Sequence, residues 1–302
     1  MADFVSEFWS WFIIIPTVIG ILAMFPLVYF NRGQKQSGEA DKMGHSWDED
    51  LEEYNNPLPG WWLNLFYITI VFGIIYLILY PGLGSFGGVL GWSSTQRYQN
   101  ELEYAEERYG PIFEKYQQTD IRTLARNDDA MRAAERLYAN YCAQCHGSDA
   151  RGAPGYPNLR DDNWLWGGEP EQIRETIANG RTGVMPGWED ALGEEGLFNV
   201  TEYVLSLSGR QHDSAVAEKG KARYEQLCVA CHGPDGTGNT AMGAPNLTNR
   251  TWLYGGAQKT VMESIAKGRQ GHMPPHGEFL GDSKVHLLSA YVYHLSAQHE
   301  QQ

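Results

Sequence analysis

Two stretches of the chain carry the same reactive residues at the same spacing. Cys142, Cys145 and His146 stand as Cys-x-x-Cys-His, and Cys228, Cys231 and His232 repeat the pattern. This spacing is the signature of covalent c-type haem attachment. The two thiols add across the two vinyl groups, and the histidine, one residue on, is set under the iron as its proximal ligand. The chain has four cysteines, and these two motifs use all of them. A zinc ribbon would need its second pair about 15–20 residues beyond the first, far closer than Cys228 is to Cys145. A redox dithiol does not call for a histidine at all.

An iron held by one histidine needs a sixth ligand if it is only to carry electrons. Met185 and Met273 are the candidates. Each lies well downstream of a haem motif, and each precedes a proline, Pro186 or Pro274, that stiffens the loop presenting the sulfur. Taken in chain order, His146 pairs with Met185 and His232 with Met273. His272 and His276 compete with Met273 in the second copy. His/Met ligation raises a haem potential relative to two histidines. Pro157 and Pro245 are candidates to orient the proximal imidazoles through their carbonyls. Trp164 and Trp252 are candidates to pack on haem or bond a propionate, and Arg181 and Arg269 to pair with propionates.

The elements that must position these residues are themselves repeated. The stretch from Pro157 to Trp188 matches the stretch from Pro245 to His276 at a constant offset of 88 that takes Trp164 to Trp252, Gly180 to Gly268 and Met185 to Met273. Residues 128–146 read as a helix running into the first motif, and residues 218–232 repeat it. Two cytochrome c domains are therefore expected, at 128–210 and 211–302, with residues 208–217 as a polar linker.

Ahead of them come two apolar runs. Residues 9–30 carry no charge and are long enough for a bilayer, which takes about 20 residues. Pro16 and Pro26 are tolerated in such a span. Asp3 and Glu7 precede it without a basic residue, unlike a secretory leader, so residues 1–30 read as a retained first transmembrane helix. The second span runs over 61–81, with Trp61 and Trp62 at one end and Tyr76 and Tyr80 towards the other. Arg32, Lys35 and Lys42 place loop 31–60 in the cytoplasm by the positive-inside tendency. The N-terminus and everything after about residue 82 then lie outside, where bacteria attach haem c. Residues 82–127 read as a membrane-surface helix over 94–109, broken at Gly110 and Pro111, then a short helix and a charged linker.

The net charge of the whole chain is −14, which argues against nucleic acid and is compatible with a basic soluble partner. Neither span contains a histidine, so the chain has no evident oxygen-reducing centre and no catalytic residue of its own.

The stretch from His45 to Phe72, the PGLGSF turn from Pro81 and the tandem motifs with matched Met-Pro loops together carry a resemblance. The chain resembles the di-haem subunit III (CcoP/FixP) family of bacterial cbb3-type cytochrome c oxidases over essentially its whole length. The resemblance implies an all-α protein, with two transmembrane helices followed by two tandem cytochrome c-like domains holding two covalent haem c groups. It implies Cys142, Cys145, His146 and Met185 on one haem and Cys228, Cys231, His232 and Met273 on the other. It further implies electron relay, in the inner membrane with the haem domains periplasmic, from a donor cytochrome c to a mono-haem subunit. The haem–copper catalytic subunit then reduces oxygen and pumps protons, an activity of the assembly. The rival readings are a relay subunit of another membrane oxidoreductase and a di-haem peroxidase or gas sensor.

Overall fold

The computed structural model describes residues 6–32, 42–54 and 58–297. Asp3, Lys35 and the Asn55–Pro57 part of the lead-in to the second span lie outside the described residues. The chain divides into two compact units, Met1–Glu107 and Arg108–Gln302.

In the first unit, α1 (Glu7–Phe30) and α2 (Gly60–Leu79) coincide closely with the two apolar runs. Only 6% and 11% of their most apolar windows are buried within the protein. Helices with mean hydropathies of 2.4 and 2.2 that expose nearly all of it are not core helices of a soluble fold. Pro16 and Pro26 sit inside α1 without ending it. The glycine-rich turn after α2 has a specific job. Val89 and Leu90 N–H groups donate to the Ile78 and Leu79 carbonyls, which the helix end leaves unpaired. Gly88, at φ +73°, is where the chain doubles back, and a Cβ there would lie 2.5 Å from the Leu79 oxygen. The turn also meets α1, where the buried Ser10 Oγ accepts from the Ser85 N–H at 2.9 Å.

The segment read as loop 31–60 contains a hairpin, β1 (Lys42–Trp47) paired antiparallel with β2 (Leu51–Tyr54). Its sequence is too acidic to announce strands. The tip needs Asp48 and Glu49 at positive φ, and Lys42 pairs with Glu52 beyond it.

In the second unit the last turns of α3 (Ser94–Gln117) come first. The helix does not break at Gly110 and Pro111 as expected. Pro111 forfeits one hydrogen bond, but Phe113 and Tyr116 beyond it are held against a core of Ile121, Leu124, Met131 and Leu287. The short α4 (Ile121–Leu124) is capped by Asp120 and buried at both ends, so this stretch is part of a core and not a solvated linker. Then follow α5 (Asp128–Tyr141), α6 (Ala143–His146), α7 (Pro170–Asn179), β3 (Arg181–Met185) and α8 (Glu189–Leu207). The second copy supplies α9 (Ser214–Leu227), α10 (Val229–His232), α11 (Gln258–Lys267), β4 (Arg269–Met273), α12 (Gly277–Leu280) and α13 (Asp282–Ala297).

The copies exchange their closing parts. Helix α13, from the second copy, packs on α4, α5 and α7 of the first. Helix α8, from the first copy, packs on α9 and α11 of the second. The reason for the exchange is the connection. Only residues 208–213 join α8 to α9, and Asp213 already caps α9. A join that short makes consecutive helices antiparallel neighbours. With α8 committed to α9, the face of α5 is left for α13. The two lobes are stitched by β3 and β4, whose antiparallel register pairs Gly183 with Gly271, Arg181 with Met273 and Met185 with Arg269. Because the repeat offset is also 88, this ladder is a pseudo-two-fold axis through the glycine pair. Gly180 and Gly268, at φ +69° and +75°, allow the crossing. A Cβ at Gly180 would stand 2.4 Å from the Met273 oxygen, and one at Gly268 2.2 Å from the Met185 oxygen.

Candidate haem sites

Each Cys-x-x-Cys-His stretch folds as a single turn at the end of a helix with one buried face. Cys142 and Cys228 cap α5 and α9, and the N–H groups of Cys145, His146, Cys231 and His232 return to the Cys142 and Cys228 carbonyls. Tyr138 and Tyr224, one turn earlier, donate through Oη to the Gly147 and Gly233 carbonyls at 2.8 and 2.9 Å. These tyrosines are 2% and 0% exposed, so they lock the turn to the core below it. They were not among the expected site residues, although their repeat at an offset of 86, like the motifs themselves, was there to be read.

Each imidazole lies against a proline carbonyl. His146 Nδ1 lies 2.9 Å from the Pro157 carbonyl oxygen, and His232 Nδ1 3.1 Å from that of Pro245. A carbonyl only accepts, so Nδ1 carries the proton and Nε2 keeps its lone pair for a metal. Burial holds both imidazoles below their ordinary pKa, against the pull of the proline carbonyls. His276 pushes His146 the same way, which places the loop after Met273 beside the first motif. Burial, and the neighbouring thiol of each pair, push Cys142 and Cys228 up to about 11.

The methionines are not where chain order puts them. Met273 packs against the cluster of Tyr138, Ile173 and Leu288 that also holds Cys142 and Trp164. Met185 packs against that of Val200, Tyr224 and Val261, with Cys228 and Trp252. The structure therefore brings Met273 to the first motif and Met185 to the second. His272 precedes Met273 on a strand and so faces the other way, where its Nδ1 is 3.0 Å from Thr182 Oγ1. His276 Nδ1 is held at 2.8 Å by the Pro274 carbonyl.

The arginines, at the other ends of the strands, stay with the helices of their own copies. Arg181, paired with Met273, donates from Nε to Thr176 and lies over Trp166, and Arg269, paired with Met185, donates to Ser264 and lies over Tyr254. In the second lobe two buried donors, Trp252 Nε1 and Arg210 Nε, have no partner among the described residues. Orphaned buried donors are what an acidic edge of a haem would satisfy, so the residues present fit the group.

The paired tyrosines give a direct check. Burial raises both phenol pKa values, that of Tyr224 to about 12. Their stabilising effect is complete below an ordinary phenol's pKa of about 10 and is lost as pH rises through the raised value. Tyr224→Phe is expected to cost about 1 kcal/mol at pH 7. The gap to the parent narrows above pH ~10, because the unfolded parent then ionises and phenylalanine does not. Urea titrations at neutral and alkaline pH measure it, and a constant gap contradicts it.

A fold of two Cys-x-x-Cys-His lobes with oriented histidines defines a c-type cytochrome, and comparison with known proteins narrows the class. The description "Cytochrome C oxidase, cbb3-type, subunit III" matches residues 129–204 and 215–292, and "N-terminal domain of cytochrome oxidase-cbb3, FixP" matches residues 39–87. The CcoP subunit of the Rubrivivax gelatinosus cbb3-type oxidase is 44% identical over 98% of this chain and 97% of its own length. That of Cereibacter sphaeroides is 39% identical over 87% and 97%, and the FixP subunit of Azorhizobium caulinodans 36% over 86% and 94%. The chain belongs to the subunit III family of cbb3-type cytochrome c oxidases. It is a membrane protein with an electron-transfer role, it contains haem c, and it works as part of a complex.

Proposed function

We propose that the chain binds two covalent haem c groups and carries electrons from a donor cytochrome c, on the periplasmic side, to a mono-haem subunit and so to the haem–copper subunit. The observation that carries this reading is the twice-built turn in which a Cys-x-x-Cys-His imidazole is fixed by a proline carbonyl. When bound, each haem supplies an iron that takes and releases one electron. Everything else is done by the chain. Cys142 and Cys145, and Cys228 and Cys231, tether the groups; His146 and His232 offer Nε2 as proximal ligands. Met273 serves as sixth ligand in the lobe of His146, and Met185 in the lobe of His232. This crossed pairing is supported by the two core clusters that hold the sulfurs. With a methionine sulfur offered in each lobe, the bound groups would be closed to oxygen and peroxide, which suits relay and not catalysis. Helices α1 and α2 anchor the relay beside its partners.

The test is a tagged chain drawn from detergent-solubilised membranes. Two c-type haems per chain, with co-purifying b-type haem, copper and cyanide-sensitive oxygen uptake, are the expected result. A preparation carrying c-type haem and a dehydrogenase, with no oxygen uptake, would contradict the oxidase relay.

A further inference from the structure

The two lobes differ in how an arginine is partnered. Each has an arginine a few residues ahead of its first haem-lobe helix, Arg122 before α5 and Arg210 before α9, and each arginine lies near an aromatic ring. Arg122 is 5.3 Å from the Tyr293 ring centroid, and Arg210 is 5.6 Å from that of Trp252. In the first lobe the cation is spent within the protein. Arg122 is ion-paired with Glu169 and donates to Tyr293 Oη at 2.7 Å. In the second copy the position of Glu169 is occupied by Ala257, which has no carboxylate.

Arg210 instead donates from Nη1 to the Gly256 carbonyl at 3.1 Å and makes a longer contact from Nη2 to the Arg250 carbonyl at 3.5 Å. Its Nε is buried and has no acceptor among the described residues, and neither has Trp252 Nε1 beside it. The seat is cut to fit. A Cβ at Gly256 would fall 2.5 Å from the Arg210 guanidinium carbon. At the matching position of the first copy, Gly168, the space is taken by the Trp164 indole. Of the two residues with orphaned donors, one of them cationic, Trp252 packs against the core that also holds Cys228 and Met185, and Arg210 lies beside its ring. Burying them costs free energy unless an acceptor arrives, and a carboxylate is the acceptor that a guanidinium binds best.

We infer that Arg210 and Trp252 together hold a propionate of the haem tethered at Cys228 and Cys231, and that Arg210 raises the potential of that haem alone. The inference rests on the haem reading above and adds a residue to it. Arg210 comes from the segment joining the two copies, so the exchanged helix α8 delivers the cation to the lobe it packs on. A positive charge near the iron disfavours its oxidised, more positive state. Arg210 is a positioning residue, and its effect is on a potential.

The experiment is a redox titration of the purified, full-length chain followed through its haem absorbance, for the parent and for Arg210→Gln, Arg210→Lys and Trp252→Phe. Arg210→Gln is expected to lower one of the two midpoint potentials and leave the other in place. The shift corresponds to roughly a tenfold smaller reduced-to-oxidised ratio at the parent midpoint, ~59 mV for one electron. Arg210→Lys keeps most of the potential. Trp252→Phe preserves packing, removes only the N–H, and lowers the same wave by less. Resonance Raman bands of the propionates move in the same variants. Variants that hold both covalent haems with neither wave moved, both waves moving together, or Lys falling as far as Gln would each overturn the inference. The first outcome leaves the haem reading intact, whereas failure to find two covalent haems in the parent sinks that reading instead.

Discussion

Ending the chain before Asp282 is expected to destroy the lobe that carries Cys142 and to spare the lobe that carries Cys228, although the deletion lies in the second copy. Helix α13 supplies Val285, Leu287, Leu288 and Ala290, none more than 1% exposed, to the core around Tyr138, Ile173 and Met131. Removing one such side chain, as in Leu288→Ala, costs about 2–5 kcal/mol. A domain has only about 5–15 kcal/mol in total, so removing the helix leaves the first lobe without enough core to fold. The core of the second lobe is built from α8, α9 and α11 and includes no residue of α13. Limited proteolysis with mass analysis of the haem peptides reads the result. Rapid cleavage around Cys142 with protection around Cys228 is expected. The reverse pattern would mean that each copy folds on itself.

The second large effect is at the sixth ligand. Met273→Ala is expected to open the iron of the first lobe, and Met185→Ala that of the second. Each variant gains one carbon monoxide-binding haem, loses half of the sulfur-to-iron charge-transfer absorbance, and lowers one midpoint potential, since methionine ligation is what raises it. The strands limit any rescue. Met273 is fixed by its pairing to Arg181 and by the close passage of its carbonyl over Gly180, so no neighbouring residue on β4 can turn inward without shifting the ladder. His276, beside His146, is an imidazole that a rearranged loop would offer. Binding of carbon monoxide by neither variant would contradict methionine ligation.

Much of this was legible in the sequence. The spans were, because 20 apolar residues have few other uses. The motif turns and the Pro157 and Pro245 carbonyls were as well, because their chemistry is local and set by spacing. The partnership between elements was not. The two copies place similar residues at matched positions, so α8 and α13 satisfy α5 and α9 about equally well in either pairing, and hydrophobic pattern cannot distinguish them. The deciding feature was a length. Six residues between Leu207 and Ser214 do not let α8 reach α5 and α9 start elsewhere. A linker read as residues 208–217 hid that constraint. Pro111 misled for a related reason. Its local cost is real, but Phe113 and Tyr116 gain more from the core than the helix loses at one bond. The hairpin over Lys42–Tyr54 went unseen because its acids and its positive-φ tip run against strand propensity. Arg210 escaped because its meaning depends on Ala257, where the other copy has Glu169.

Crossed ligation is tested most directly in a chain that can hold only one haem. Cys228→Ala with Cys231→Ala leaves the haem of Cys142 and Cys145 alone, and Met185→Ala or Met273→Ala is then added to that background. The expected result is that the surviving haem stays six-coordinate and low-spin with Met185→Ala and becomes carbon monoxide-binding with Met273→Ala. Loss of the sixth ligand on removing Met185, with Met273 dispensable, would contradict the crossing and return each haem to the methionine of its own copy.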